Sequence, residues 1–239
     1  DLRDLQTDPQ AATGRVRVEL DAAGVPRFTI AADAAWDHLE ASPELKAALG
    51  AAPRLVYFGS LLQRTPRTRE MLGRLLAQRP QASQAFCDIR LRAPWVEPAA
   101  IRACLEQTAI LKLNTAELAA VAEALKLPPA PDADETVFAV MAACGVSQVA
   151  LTRGADGSSL FRGSEAWHAH PEPLGEDLVD TVGAGDAFAA MLAAGLLAGW
   201  DPGTLLRRAT RFAAAVCRVP GALPPGLDFY RAFRGPESG

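Results

Sequence analysis

The segment Asp180-Thr181-Val182-Gly183-Ala184-Gly185-Asp186 runs directly into an apolar stretch that reads as a helix from about residue 184. Two glycines bracket one alanine there, so nothing bulky keeps a ligand from the backbone. The N–H groups of a helix's first turn have no intrahelical acceptor, and the helix dipole adds positive potential at the same end. Together these make a place for an anion, above all a phosphate. Asp186 would stand beside it. Its carboxylate can take a proton from an attacking hydroxyl while the amides of Gly183, Ala184 and Gly185 hold a transferring phosphoryl group. The plainer alternative is that Gly-x-Gly only begins a helix and Asp186 only complements its dipole. Glycine spacing alone favours the plainer alternative.

Three other places set polar residues at the end of an apolar run. In Lys112-Leu113-Asn114-Thr115-Ala116-Glu117, Asn114 and Glu117 have the spacing of a helix cap and its capping-box partner. In Thr152-Arg153-Gly154-Ala155-Asp156-Gly157, Asp156 and Gly157 suit a hairpin turn. Asp88-Ile89-Arg90-Leu91-Arg92 puts two arginines just past a strand. Arg92 there meets a phosphate or substrate, or lies in solvent.

These residues need a scaffold, and the remaining pattern supplies one. Residues 14–30 read as a hairpin, with Val16, Val18 and Leu20 alternating with polar residues and a turn at Asp21–Gly24. Short apolar strands are expected at 54–58, 85–89, 109–113 and 148–152, and helices at 66–79, 98–107, 115–125, 132–144, 184–199 and 202–217. Gly145 fits a C-terminal cap, and Leu127–Pro131 a connection between helices. Strands apolar throughout, alternating with amphipathic helices, predict an α/β fold whose parallel sheet is covered on both faces. Ligands bind at the carboxyl ends of such strands, where the segments after Leu113, Thr152 and Asp88 lie.

Composition narrows the alternatives. A chain of 239 residues fits one domain with a small appendage. At 49 % hydrophobic and 22 % charged it can bury a core. Its net charge of −4 argues against a nucleic-acid partner. Cys87, Cys104, Cys144 and Cys217 are scattered in apolar surroundings and read as buried free thiols, which suits a reducing cytoplasm. His38, His168 and His170 have no metal-binding spacing. Asp1-Leu2-Arg3-Asp4 lacks the apolar core of a secretion signal. The uncharged run from Ala187 to Trp200 is too short to span a membrane, and its Gly195 and Gly199 suit close helix packing.

Asp-Thr-Val-Gly-Ala-Gly-Asp-Ala-Phe, from Asp180 to Phe188, resembles the C-terminal signature of the ribokinase-like, or PfkB, family of carbohydrate kinases. Asn114 and Glu117 resemble that family's Asn-x-x-Glu motif, and Thr152, Gly154 and Gly157 its Thr-x-Gly-x-x-Gly turn. Tyr57–Leu61, the segment from Asp88 to Arg92, and Thr13-Gly14 through Pro26-Arg27-Phe28 to Trp36-Asp37 resemble the fructokinase-like branch. Arg90 stands where that branch usually has Asn, and Arg92 keeps its arginine.

The resemblance implies a three-layer α/β/α fold with a mostly parallel central sheet and a small β-lid. Residues 1–33 would form part of the lid and 34–239 the nucleotide-binding and catalytic unit. It implies ATP-dependent phosphorylation of a sugar hydroxyl, with a ketohexose such as fructose as first choice. Ribose, 2-keto-3-deoxygluconate and a nucleoside stay open, as does a non-catalytic nucleotide- or sugar-binding role. Asp186 would be the base. Thr152, Gly154, Gly157, Asn114 and Glu117 would serve ATP. Asn114 and Glu117 would also organise Mg²⁺ through water, which is how that ion is usually held. Arg92 and Thr13 would face the sugar. The partner is then a small molecule, without nucleic acid or membrane, and a lid-to-lid homodimer is allowed. Family members normally open with a strand, a Gly-Gly sugar-binding segment and a helix before the Thr-Gly hairpin. This chain starts at about the hairpin, so an uncovered sheet edge is expected.

Overall fold

The computed structural model describes residues 5–20, 26–92, 94, 95 and 97–233. Strands β1 (Val16–Leu20) and β2 (Pro26–Ile30) pair antiparallel as a separate two-stranded sheet, Val16 opposite Ile30. The expected turn at residues 21–24 lies outside the described residues.

The body is a six-stranded sheet in sequence order. It comprises β3 (Leu55–Gly59), β4 (Gln84–Asp88), β5 (Ile110–Asn114), β6 (Gln148–Thr152), β7 (Ser158–Arg162) and β8 (Glu165–Ala169). β3 to β6 are parallel, while β7 pairs antiparallel with β6 and β8 antiparallel with β7. The antiparallel pair was not expected from the sequence. Ser158, Ser159, Arg162, Glu165 and His168 give it no continuous apolar run. It folds because Leu160 and Phe161 bury on opposite faces.

Helices α1 (Pro43–Gly50), α2 (Pro66–Ala77), α3 (Pro98–Glu106), α4 (Thr115–Leu125), α5 (Ala133–Cys144), α6 (Ala184–Ala198), α7 (Pro202–Val216) and α8 (Leu227–Arg231) complete the chain. Two buried clusters show the layering. Cys87, Leu111, Leu113, Val149 and Leu151 pack against α2 to α5, whereas Phe86, Ile110, Ala150 and Leu160 pack against α6 and α7. Neighbouring residues of a strand face opposite ways, so Asp88, Lys112, Asn114 and Thr152 belong on the α6–α7 side.

Gly145 caps α5 with a positive φ of 68°. The two helix glycines divide their work. A Cβ on Gly195 would lie 2.4 Å from Leu205 and Trp200, so it permits the α6–α7 approach, while Gly199 is the left-handed cap of α6. All four cysteines are free, but Cys144 is only half-buried at the end of α5, contrary to expectation. Among the described residues no helix is long and apolar enough to cross a membrane.

Candidate active site

Parallel pairing lines up the carboxyl ends of the strands. Gly59 is opposite Asp88, Asp88 opposite Lys112, and Asn114 opposite Thr152. The N-terminus of α6 sits over this row. A Cβ on Gly185 would lie 3.2 Å from Lys112 Nζ and 3.7 Å from an Arg90 guanidinium nitrogen. The helix thus starts in close contact with two cations, and a side chain at 185 would press on the lysine ammonium.

The start of α6 is held by its loop rather than by a capping side chain. Gly183 takes a φ of 86°, and a Cβ there would lie 2.6 Å from Ala222 Cα. Asp180 accepts from the amides of Val182 at 2.9 Å and Gly221 at 3.1 Å, which ties the loop to the segment after α7. The expectation for Ala184 needs correction, because its N–H donates to Thr181 O at 3.3 Å and is not bare. The amides of Gly183, Gly185 and Asp186 have no protein acceptor among the described residues. The helix end therefore keeps donors and positive potential for an anion.

Below it lies a chain of charges. Asp88 is fully buried, with Lys112 Nζ 3.0 Å from one carboxylate oxygen. The other oxygen accepts from Tyr57 at 3.1 Å and from Arg90 Nε and Nη2 at 3.1 and 3.0 Å. Arg90 continues outward, donating Nη2 to Asp186 Oδ1 at 2.6 Å and Nη1 to Asp186 Oδ2 at 3.1 Å. The Asp186 side chain is 61 % exposed, so it faces solvent beside the bare amides. Burial and the neighbouring Asp88 push the Tyr57 phenol up, which keeps it a donor. Burial works against the charge of Arg90, but Asp88 and Asp186 outweigh it and raise its pKa.

Asn114 and Glu117 form a reciprocal capping box at the start of α4. Asn114 Oδ1 accepts from Glu117 N at 2.9 Å, and a Glu117 oxygen accepts from Asn114 N at 2.8 Å. The second Glu117 oxygen receives the Leu91 amide at 3.4 Å. Burial raises the Glu117 carboxyl, against the pull of the Asn114 N–H and Lys112. No cluster of three His, Cys, Asp or Glu that could hold a metal occurs among the described residues. A Mg²⁺ stripped of water would lack its oxygen set here. A hydrated one fits, since each carboxylate oxygen has a second lone pair for a metal-bound water.

The 152–157 turn joins β6 to β7, so the hairpin reading of Asp156-Gly157 describes its geometry. Thr152 Oγ1 donates to Leu113 O at 3.4 Å. Gly154 and Gly157 have φ of 60° and 95°, and a Cβ on Gly157 would lie 2.2 Å from Ala169 O. Arg153 bonds Asp134 and Ser159, which locks the turn to α5 and β7. Arg92 and Thr13 are exposed, and among the described residues the Arg92 guanidinium donates only to its neighbour Leu91 O at 3.3 Å. Neither is brought against Asp186. Arg90, which is brought there, and Lys112, which lies under Gly185, were not among the expected site residues. Their signal in the sequence is a charge at the end of an otherwise apolar strand.

Two surface cavities, of about 410 and 330 Å³, lie elsewhere, between α2 and α3 and beside Arg64.

A model of the pfkB family carbohydrate kinases matches residues 1–228. Over 100 residues the chain is 38 % identical to a fructoselysine 6-kinase of Escherichia coli strain K12, covering 39 % of this chain and 36 % of that protein. Over 86 residues it is 36 % identical to the fructosamine kinase FrlD of Bacillus subtilis, covering 36 % and 29 %. The matches thus span about a third of these curated relatives. Among solved structures, a fructokinase with bound ATP from Xylella fastidiosa superposes with a TM-score of 0.76 at 18 % identity, covering 95 % of this chain and 74 % of that one. A putative ribokinase II from E. coli, in complex with ATP and Mg²⁺, gives a TM-score of 0.70 at 20 % identity, covering 90 % and 67 %. At these identities the structures establish a shared fold.

Proposed function

The chain belongs to the pfkB family of carbohydrate kinases, and from that premise we propose that it transfers the terminal phosphoryl group of ATP to a hydroxyl of a ketohexose-type sugar. The carrying observation is Asp186 at the uncapped start of α6, beside bare amides and above Lys112. Fructoselysine and fructosamine kinases among the relatives, and a fructokinase among the structures, support a fructose-like acceptor. ATP and Mg²⁺ bound by structural neighbours support the donor.

In this reading Asp186 takes the hydroxyl proton as the sugar oxygen bonds to the terminal phosphorus. The bridging P–O bond breaks and ADP leaves with its electron pair. The amides of Gly183, Gly185 and Asp186 stabilise charge on the equatorial oxygens, with Lys112 adding a cation from below. An aspartate suffices as base, because phosphoryl transfer rests mainly on position and electrostatics. Asn114 and Glu117 would hold a hydrated Mg²⁺ through its waters, and that ion would neutralise phosphate charge. Thr152, Gly154 and Gly157 shape the turn that receives the nucleotide. Thr13 and Arg92 would reach the sugar once the β1–β2 hairpin, acting as a lid, closes over it and excludes water.

The engagement of both Asp186 oxygens by Arg90 favours one competing reading, a non-catalytic nucleotide- or sugar-binding protein. Coupled ADP release from full-length protein separates them, using fructose, fructoselysine, ribose, 2-keto-3-deoxygluconate and adenosine as acceptors. Acceptor-dependent release, greatest with a ketohexose derivative, is expected. Release at the acceptor-free rate with all five would establish the binding role instead.

A further inference from the structure

We propose that Arg90 is a positioning residue, a guanidinium fork that fixes the Asp186 carboxylate and ties it to the rigid floor of the sheet. The proposal deepens the kinase reading and rests on it for the rate effects below.

The geometry is specific. Nη1 and Nη2 each reach a different oxygen of Asp186, at 3.1 and 2.6 Å, a two-point grip that a single charge cannot make. The remaining side of the fork, Nε with Nη2, holds Asp88 Oδ2. Asp88 cannot drift, because it is fully buried and also held by Lys112 and Tyr57. The exposed end of the path is Asp186, the one group asked to meet a substrate hydroxyl. A first-turn aspartate 61 % exposed would otherwise sample several rotamers in solvent. Held by Arg90, its oxygens still keep free lone pairs for a hydroxyl proton.

A role in binding phosphate is the rival. Four N–H···O contacts already commit the guanidinium to two carboxylates, which leaves it little to offer a ligand.

The test has a structural and a kinetic arm, on Arg90→Ala and Arg90→Lys in the full chain, with circular dichroism to confirm folding. In crystals of Arg90→Ala, Asp186 is expected to leave its present rotamer or to occupy more than one. This outcome does not depend on any sugar being turned over. An Asp186 side chain unmoved and singly ordered would overturn the proposal. In the kinetic arm, Arg90→Ala should lose about 100-fold in kcat, the usual cost of a misplaced catalytic group, with KM for ATP changed less than about threefold. Added guanidinium ion should recover part of kcat saturably, and Arg90→Lys should recover less than half, lacking the fork. A rise in KM for ATP with kcat retained would make Arg90 a phosphate ligand and refute the positioning role. If Arg90→Ala does not fold, Arg90→Lys carries both arms. Its single ammonium should leave Asp186 in more than one rotamer, and an unchanged rotamer and kcat would contradict the proposal. If wild-type protein phosphorylates no sugar, the kinase reading fails, and the crystallographic arm still decides the role of Arg90.

Discussion

Asp88 is fully buried and balanced by Lys112 at 3.0 Å and by Arg90. Breaking such a pair from one side strands a charge where water cannot reach it. Asp88→Ala should therefore lower unfolding free energy by about 3–5 kcal/mol, measured by urea denaturation, since removing one partner of a buried pair costs that much. A loss under about 1 kcal/mol would mean that water reaches Lys112. Gly183 makes a second case. Its φ of 86° and the 2.6 Å approach to Ala222 exclude any side chain. Gly183→Ala should cost about 1–3 kcal/mol from backbone strain. It should also weaken nucleotide affinity, read by calorimetry, since the loop that aims the amides must shift. The start of α6 at Ala184, with Asp186 in its first turn, was legible in the sequence, because glycines running into an apolar helix have a local spacing. Arg90 was not. Its partner lies 96 residues away, and only the crossing of β4 and α6 in space brings the two together.

At the level of elements, β6 and α4 have the expected bounds, and β3 to β5 shift by a residue. Continuous apolar runs mark buried parallel strands, and Asn114 marks a helix start by its own chemistry. β7 and β8 escaped because antiparallel strands at the sheet margin carry polar residues that resemble a loop. α1 escaped although Ser42 caps it and Pro43 opens it, for it is short and weakly apolar. The capping box of α4 yields its own prediction. Asn114→Ala removes the acceptor for Glu117 N and should cost about 1 kcal/mol by thermal denaturation. If Asn114 also serves the hydrated Mg²⁺, the Mg²⁺ needed for half-maximal activity should rise as well. An unchanged Mg²⁺ requirement would restrict Asn114 to capping.

Across the whole molecule, the β1–β2 hairpin and the six-stranded sheet are separate sheets, and Arg64 joins their territories. Its guanidinium pairs with Asp37, donates to Ala31 O at 2.8 Å just after β2, and stacks 5.3 Å from Trp36 and 4.9 Å from Trp95. Burial acts to raise the Asp37 carboxyl, but Arg64 and the Ala34 amide outweigh it and lower it below its ordinary 3.8. The pair's stabilisation is then complete above that pH and fades as pH falls through the lower folded value. Asp37→Asn should flatten the acid limb of the stability curve below about pH 4, and an unchanged limb would contradict the assignment.

The central claim is that α6 presents Asp186 as proton acceptor beside amides that hold a terminal phosphate. The most direct measurement is the comparison of full-length wild type with Asp186→Asn, reading nucleotide affinity by calorimetry and sugar-dependent ADP release on the same preparations. The account predicts that turnover falls at least about 100-fold while ATP affinity stays within about threefold. An Asp186→Asn variant that turns over at the wild-type rate would contradict it.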